Sequence, residues 1–287
     1  MVNFVSGAID MHPNPAELST GLAARRYFRS LQDGRYVQST GMAPGYLQGS
    51  PVIIPVDYAL EFLTLCQRNM QSCPLIAVSD PGSPHLPTLG ADIDVRSDLG
   101  GYRVWRNGQL VEERSEVASI WDERFVTFVI GCSLTFESAM ISDGLELRHV
   151  SEGVCAPMYM TNIPLVPSGR FDGRVCVSMR PFKAKDAIRA IELTSRYPMA
   201  HGTPLHIGDP SLIGIEDLDK PLDGDKVMVA HDEIPVFWGC GITPQYALVA
   251  CKPPIAITHK PGCVLVSDLP AAGDAMRIPM FQATGTA

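Results

Sequence analysis

The chain has 287 residues, with 23 Lys and Arg against 31 Asp and Glu, so its formal net charge is −8. A chain this acidic lacks the basic surface that nucleic acid or an anionic membrane requires, and we expect neither as a partner. Hydrophobic residues make up 46% of the chain, too many for a disordered protein. The length exceeds the roughly 250 residues at which a single core stops growing, which predicts one large domain or two unequal ones.

Cysteines and apolar runs indicate a cytoplasmic protein. No apolar run approaches the roughly 18 residues of a membrane span, and residues 1–10 lack the basic and apolar segments of a secretory signal. The eight cysteines form no CxxC pair and no cluster with histidines at structural-zinc spacing. We therefore expect reduced, mostly buried thiols.

Hydrophobic periodicity and turn residues predict short elements of both kinds. In chain order, the elements predicted up to residue 130 are a helix over 15–31, a shaped loop over 40–48, a helix over 58–68, a strand over 75–78, a hairpin over 103–112 turned at Asn107-Gly108, and a helix over 117–130. Those predicted beyond it are a helix over 135–142, strands over 145–150, 157–163 and 175–179, a helix over 183–196, a strand over 235–240, a helix over 243–251, strands over 255–259 and 264–267, and a loose tail after about residue 268.

This order of elements predicts an α/β fold. Residues 133–197 read as a small two-layer α/β unit, because helices bracket three strands. We expect this unit to interrupt a larger αβα-type domain that residues 1–132 and 198–287 form together. Domain interfaces favour small-molecule sites, and the densest polar motifs lie beside the two predicted crossings between the domains.

The segment HGTPLHIGDP is the richest in groups that exchange protons. Its glycines and prolines predict a rigid loop that presents His201, His206 and Asp209. A histidine oriented by a carboxylate is a common general acid or base. The alternative is structural: two histidines that cap turns, and an aspartate that begins an Asp-Pro turn.

The segment GCSLTFE predicts a turn into a helix. Backbone amides near Gly131, Cys132 and Ser133 are candidates to bind an anion at the start of that helix. Glu137 is a candidate catalytic carboxylate. The alternatives are that Ser133 is a plain N-cap and that Cys132 is a buried thiol rather than a nucleophile.

Five further positions are candidates for substrate binding. Arg180 ends a strand, where a guanidinium suits a carboxylate, and Arg148 is a weaker candidate of the same kind. Gly241 and Thr243 lie in a second glycine-flanked turn into a helix. His259 ends another strand, although a single histidine there is more often structural. Surface ion pairs are the alternative for the two arginines.

Several cofactor signatures are missing. The sequence contains no GxGxxG after a strand, no GxxxxGK[ST], no GxSxG and no HExxH. The residues therefore favour proton transfer on a small carboxylate without an organic cofactor. A divalent metal held by His201, His206 and a carboxylate stays open, but their spacing does not argue for it.

Seven segments in fixed order resemble the D-glutamate cyclase family, which is also catalogued as hydro-lyases. They are TGMAPGYLQ, GCSLTFE, PMYMTN, SMRP, TSRYPMAHGTPLHIGDPSLIGIEDL, PVFWGCGITPQ and ITHKPG. The resemblance as a whole runs over about residues 25–269. The resemblance implies a two-part α/β architecture. It also implies an activity, the cyclisation of D-glutamate to 5-oxo-D-proline with loss of water.

The sequence departs from the family pattern at places that bear on substrate choice. After Tyr46, itself a candidate substrate contact, the usual Gln-Ala-Asn is Gln48-Gly49-Ser50, and Val154-Cys155-Ala156 replaces a segment with Asn and Val. A hydro-lyase acting on another hydroxy or amino acid therefore stays an alternative. A non-catalytic carboxylate-binding protein is a further alternative, and a homo-oligomer stays open.

We predict roles for the candidates from what lactam formation requires. The substrate amine must lose protons, the carboxylate and the oxyanion must be stabilised, and the leaving oxygen must gain protons. We assign a substrate carboxylate to Arg180 and the base for the amine to Glu137. His206, oriented by Asp209 and with His201 nearby, is the predicted acid.

Overall fold

The computed structural model describes residues 18–31 and 34–271. No helix within these ranges is long and apolar enough to cross a membrane. The helices in the described ranges are α1 (Gly21–Ser30), α2 (Ala59–Arg68), α3 (Leu134–Ser142), α4 (Arg148–Ser151), α5 (Ala184–Thr194) and α6 (Thr243–Cys251). The strands are β1 (Tyr46–Pro55), β2 (Leu75–Val78), β3 (Tyr102–Arg106), β4 (Gln109–Arg114), β5 (Phe125–Gly131), β6 (Met158–Pro164), β7 (Arg174–Lys183), β8 (His206–Ile207), β9 (Glu233–Gly239), β10 (Ala256–His259) and β11 (Leu265–Pro270).

The strands form two sheets, and every strand pair in them is antiparallel. The first sheet has the order β2-β5-β1-β10-β3-β4, with β11 also paired to β1. The second has the order β6-β7-β9-β8. The central strands β1 and β5 are buried along almost their whole length, because their apolar side chains are covered on both faces.

One core joins the two sheets. Val52 and Phe128 of the first sheet belong to the same buried cluster as Met179 and Phe237 of the second, together with Phe62 of α2. The opposite face of the second sheet is covered by α3 and α5, in a cluster that contains Trp238 and residues of both helices. Side chains on that second face are therefore enclosed between a sheet and two helices.

Most predicted elements are present. The hairpin turns at Asn107-Gly108, where both residues have positive φ, and α6 covers the predicted residues 243–251. The first predicted helix begins at Gly21, and its residues 15–17 lie outside the described ranges. The predicted tail lies largely in residues 272–287, also outside them, and β11 extends to Pro270.

Two assignments of secondary structure were wrong, and two strands were not predicted: β1, and β8 in the segment where we expected a rigid loop. Residues 125–131 form β5 rather than part of a helix, because all seven are buried between neighbouring strands. Residues 148–151 form the short helix α4 rather than a strand. The strand over 46–55 was not predicted, since Gly49, Pro51 and Pro55 mask its apolar run.

The mixture of helices and strands agrees with the predicted α/β class. The second sheet extends past residue 197, where we expected the smaller unit to end, because β8 and β9 belong to it. The division into two domains stays a prediction.

Candidate active site

The site begins at the turn between β5 and α3. β5 ends at Gly131, and α3 begins at Leu134. The Thr135 hydroxyl fixes the turn against β1, because its Oγ1 accepts from the Gln48 amide at 3.0 Å and donates to the Gln48 carbonyl at 3.2 Å. The Ser133 amide donates to no oxygen of the described residues. The N-terminal amides of a helix lack partners within it, so this one is free to bind a ligand.

A buried ion pair joins α3 to the second sheet. Arg180 is 1% exposed and Glu137 is 3% exposed. Nε and Nη2 of Arg180 donate to Oε1 of Glu137 at 3.1 and 2.5 Å. Nη1 donates to Ser178 Oγ and Nη2 to Ser133 Oγ, both at 3.1 Å. Of the five N–H groups of Arg180, one on Nη1 has no partner among the described residues.

His149 completes this cluster. Its Nε2 lies 3.0 Å from Oε1 of Glu137, close enough for an ion pair but without hydrogen-bond geometry. Burial by itself raises the pKa of Glu137, but His149 and Arg180 outweigh it and bring the pKa to about 2. Glu137 is therefore a carboxylate at neutral pH. Its buried Oε2 has no hydrogen-bond partner among the described residues, which leaves that oxygen for a ligand.

A narrow cavity of about 30 Å³ lies beside Arg180. The predicted site residues on its wall are Cys132, Ser133, Arg180, Gly241 and His259. This volume admits water rather than an amino acid, so substrate binding requires the walls to move apart. Burial raises the pKa of the Cys132 thiol to about 11, so the thiol is a wall group rather than a thiolate nucleophile.

His259 presents a neutral imidazole to the cavity. Gln245 Nε2 donates to its backbone carbonyl at 3.0 Å and lies 3.3 Å from its Nδ1. Burial, with a contribution from the positive charge of Arg103, lowers the pKa of His259 to about 3. The side chain is 2% exposed, so it binds and orients rather than carrying charge.

Comparison with known proteins places this chain in a family. The model of the D-glutamate cyclase family matches residues 126–268, which include both turns of the site and Arg180. A protein of Bradyrhizobium diazoefficiens named "putative hydro-lyase" is 51% identical over 86% of this chain and 92% of its own length. One of the same name from Bradyrhizobium sp. (strain ORS 278) is 49% identical over 92% of this chain and 96% of its own. The chain belongs to the D-glutamate cyclase family.

The family segment HGTPLHIGDP does not bring His206 to the Arg180 cavity, contrary to our expectation. On antiparallel neighbours, paired residues share a face and successive residues alternate. Arg180 pairs with Val236 and His206 pairs with Phe237, so the two side chains lie on opposite faces of the second sheet. His206 Nε2 contacts the backbone oxygen of Asp209 at 2.7 Å, not its carboxylate.

The Asp209 carboxylate has a structural contact instead. It accepts from the Ser211 amide at 2.9 Å and caps a 3-10 turn, which is the alternative that the sequence left open. Hydrogen bonding from the Ser211 side chain, and then from its amide, lowers the pKa of Asp209. The expected acid pair of His206 and Asp209 is therefore absent from the Arg180 cavity.

His201 lines a different cavity. This wider space of about 530 Å³ also contacts Gln71 and Met199, and its walls carry no Arg, Lys, Asp or Glu. His201 Nδ1 lies 2.9 Å from the Gln71 carbonyl, and burial lowers the pKa of His201 to about 4. A carboxylate substrate would find no counter-charge there, so we place the site at the narrow cavity.

Tyr46 and Glu137 line a third cavity, of about 210 Å³, between residues 41–48 and α3. Glu137 is the charged residue on its wall, so an anionic substrate would be repelled there. Because Glu137 and its partner Arg180 border different cavities, their ion pair lies in the wall between the two.

Three other candidates have structural contacts. Arg148 donates to both carboxylate oxygens of Glu233 at 2.6 Å, so it is the ion pair that we held as the alternative. The Gly131 amide donates to Pro74, and an added Cβ would lie 1.6 Å from the Met199 carbonyl, so this glycine permits a close backbone approach rather than anion binding. Thr243, fully buried, bonds to Cys176 through its hydroxyl.

Sequence reasoning missed the groups that surround the ion pair. His149 follows Arg148 and Ser178 lies two residues before Arg180, but the sequence predicts no role for either. Ser50 lines the cavity and drew notice as a departure from the family pattern. The pairing of β1 with β5 brings Ser50 to the cavity, and no local signal in the sequence shows that pairing.

Metal ligands do not converge in the described residues. Within residues 18–31 and 34–271, no group of three His, Cys, Asp or Glu side chains is placed to hold a metal ion. His201 and His206, the two histidines of the metal alternative, have separate backbone contacts, with Gln71 and Asp209.

Proposed function

We propose that the narrow cavity cyclises D-glutamate to 5-oxo-D-proline with loss of water, as a cytoplasmic hydro-lyase without an organic cofactor. The observation that carries the proposal is the buried Arg180–Glu137 pair with a free group on each partner. Arg180 retains one N–H, and Glu137 retains Oε2. One suits a carboxylate and the other an ammonium, which are the two reacting groups of glutamate.

The protons of the reaction balance between the substrate's own atoms. The nitrogen attacks the γ-carboxyl carbon, a C–N bond forms, one C–O bond breaks, and two protons pass from nitrogen to the leaving oxygen. Glu137 is our candidate to carry them, because its ion pair with Arg180 forms a wall of the narrow cavity, and Oε2 would meet the ammonium once substrate moves that wall. The Ser133 amide and the remaining N–H of Arg180 would stabilise the tetrahedral oxyanion.

The charges of the ion pair make Glu137 a stronger base when substrate is bound than when the site is free. With a pKa of about 2, Glu137 is a weak base in the free site. A substrate carboxylate bound to Arg180 offsets part of the guanidinium charge, which raises the pKa of Glu137 and strengthens it as a base. Once protonated, it remains acidic enough to deliver the proton to the leaving oxygen.

The experiment is turnover of D-glutamate by the wild-type chain and by Glu137→Gln, with and without EDTA. We expect the variant to lose about 100-fold or more in kcat with a smaller change in KM, because it loses the proton carrier and keeps the shape. Chiral chromatography with mass detection follows the loss of one water. Wild-type activity in Glu137→Gln contradicts the role, and loss of activity with EDTA would show that a metal takes part.

A panel of other hydroxy and amino acids separates the alternatives. Conversion of one of them but not D-glutamate would favour a hydro-lyase of different specificity. Thermal stabilisation by D-glutamate without product would favour a carboxylate-binding protein. Either result contradicts the proposed cyclisation.

A further inference from the structure

The turn that begins α3 occurs a second time. Residues 131–135 read Gly-Cys-Ser-Leu-Thr and residues 239–243 read Gly-Cys-Gly-Ile-Thr. The first follows β5 and leads into α3, and the second follows β9 and leads into α6. Both helices have nine residues.

The hydrogen bonds of the two turns correspond one to one. Thr243 Oγ1 accepts from the Cys176 amide at 3.0 Å and donates to the Cys176 carbonyl at 3.2 Å, as Thr135 does with Gln48. The amide of the turn cysteine donates to the same carbonyl in each case, at 3.1 Å in the second turn and 3.0 Å in the first. The site is therefore bounded by two copies of one local structure.

The strands behind the turns correspond as well. β1 and β7 each have ten residues, and each pairs with the strand that leads into its turn. Gly49 pairs with Gly131, and Val177 pairs with Gly239. The next residues, Ser50 and Ser178, are thus equivalent, and both line the narrow cavity.

The two copies differ in charge. Ser178 accepts a hydrogen bond from Arg180, two residues further along β7. The position equivalent to Arg180 is Val52, so Ser50 has no arginine beside it. Ser50 is fully buried, and its Oγ has no nitrogen or oxygen partner among the described residues, although it lies beside the Cys132 thiol. A Cβ added to Gly241 would lie 2.2 Å from that Oγ, which shows that Ser50 points at the second turn.

We propose that the second turn is a carboxylate subsite, in which the Ser50 hydroxyl and the Gly241 amide hold the substrate carboxylate that does not react. The Gly241 amide, like that of Ser133, donates to no oxygen of the described residues. The inference rests on the proposed function, because it assigns the reacting carboxylate to the Arg180 turn and the other carboxylate to this one.

The neutral character of this subsite fits a carboxylate that only has to be held. Gln245 occupies the position that corresponds to Glu137, so no carboxylate side chain repels the ligand there. His259, held by Gln245, is neutral and buried. The partial positive charge of the α6 N-terminus and two hydrogen-bond donors then face the anion without a group that would exchange protons with it.

The test measures binding rather than turnover. Glutarate has two carboxylates and no amine, so it cannot cyclise, and butyrate is the matched ligand with one carboxylate. Calorimetric titration compares both ligands on the wild-type chain, Ser50→Ala and Ser178→Ala. We expect Ser50→Ala to weaken glutarate about tenfold and leave butyrate unchanged, because butyrate occupies the Arg180 turn. Ser178→Ala should weaken both ligands.

Steric rescue supplies a second measurement. Gly241→Ala should abolish glutarate binding, since its Cβ would meet the side chain of Ser50, and adding Ser50→Gly should recover part of it by removing that side chain. Unfolding midpoints without ligand identify any variant that fails to fold.

The subsite is disproved if wild-type chain binds glutarate no better than butyrate, or if Ser50→Ala changes both ligands alike or neither. Glutarate binding that depends on Ser50, in a chain that leaves D-glutamate unchanged, would retain the subsite and contradict the proposed cyclisation. The two proposals therefore fail separately.

Discussion

Arg180 and Arg148 each pair with one glutamate, but they differ in burial and in whether they border the narrow cavity. Arg180 is 1% exposed, lines the cavity and retains one N–H without a partner among the described residues. Arg148 is partly exposed and uses both Nη atoms on Glu233. Arg148 does not line the narrow cavity, so its ion pair holds Glu233 and does not meet a substrate there.

The comparison predicts opposite results for the same substitution. Arg180→Lys keeps the positive charge but loses the planar set of donors that reaches Glu137, Ser133 and Ser178 together. We expect kcat/KM to fall about 100-fold or more. Arg148→Lys, the matched control, should stay within about twofold of wild type. Steady-state kinetics on D-glutamate decide, and similar losses in both variants would mean that the Arg180 variant fails through stability rather than chemistry.

The sequence predicted Glu137 and Arg180 as site residues but not that they touch. They are 43 positions apart, and no local pattern shows which side chains meet across a sheet and a helix. His206 shows that a promising sequence segment can also lie away from the site. Its segment is dense in titratable groups, yet strand register directs its side chain to the face away from Arg180. Alternation in a strand can be read from sequence, but the partner that sets the face cannot.

At the scale of elements, turns were predicted better than buried strands. Asn107-Gly108 and the Gly-Cys turns are local signals, since positive φ and close approach depend on the residue itself. The sequence predicts helix at β5, because a fully buried strand lacks the polar alternation that marks a strand. The sequence does not predict β1, because its Gly and Pro residues interrupt the apolar pattern, although β1 is the strand that fixes the α3 turn.

A second buried arginine predicts how α1 is attached to the sheet. Arg25 on α1 is fully buried, and its Nη2 donates to Asp268 at 2.9 Å while its Nη1 donates to the Val266 carbonyl at 2.7 Å. Asp98, also fully buried, lies 3.9 Å from Nε. Burial raises the pKa of Asp98 despite the Arg29 hydrogen bond. Removing the guanidinium takes away the ion pair with Asp268 and leaves buried Asp98 with Arg29 alone as its arginine partner among the described residues.

We therefore expect Arg25→Met to lower the free energy of unfolding by about 3 kcal/mol. Arg26→Met changes the neighbouring exposed arginine of the same helix and should cost less than about 0.5 kcal/mol. Urea unfolding at pH 7 measures both. An Arg25→Met variant as stable as Arg26→Met would show that packing of Phe28 and Ala24 alone holds α1.

At the scale of the whole molecule, the fold encloses two neutral histidines from different segments. Burial lowers the pKa of His201 to about 4 and of His259 to about 3, against about 6.5 in an unfolded chain. Below pH 6.5 the unfolded chain binds protons that the folded chain does not. Their stabilising contribution is therefore complete above pH 6.5 and is lost as the pH falls from 6.5 towards 4 and 3.

Because of these two histidines, we expect the free energy of unfolding to fall at pH values above those at which most carboxylates gain protons. Between pH 7 and pH 5, each histidine should remove about 2 kcal/mol of unfolding free energy. Glu137, with its pKa of about 2, adds its loss only below about pH 4.5, and Asp98, whose pKa is raised, acts in the opposite direction. Urea unfolding at both pH values measures the difference.

Two variants test which histidine causes this loss of unfolding free energy. His259→Gln should remove about half of the loss, whereas His231→Gln, which deletes an exposed imidazole, should leave the loss unchanged. A full wild-type loss in His259→Gln would mean that this histidine is not held neutral by the fold.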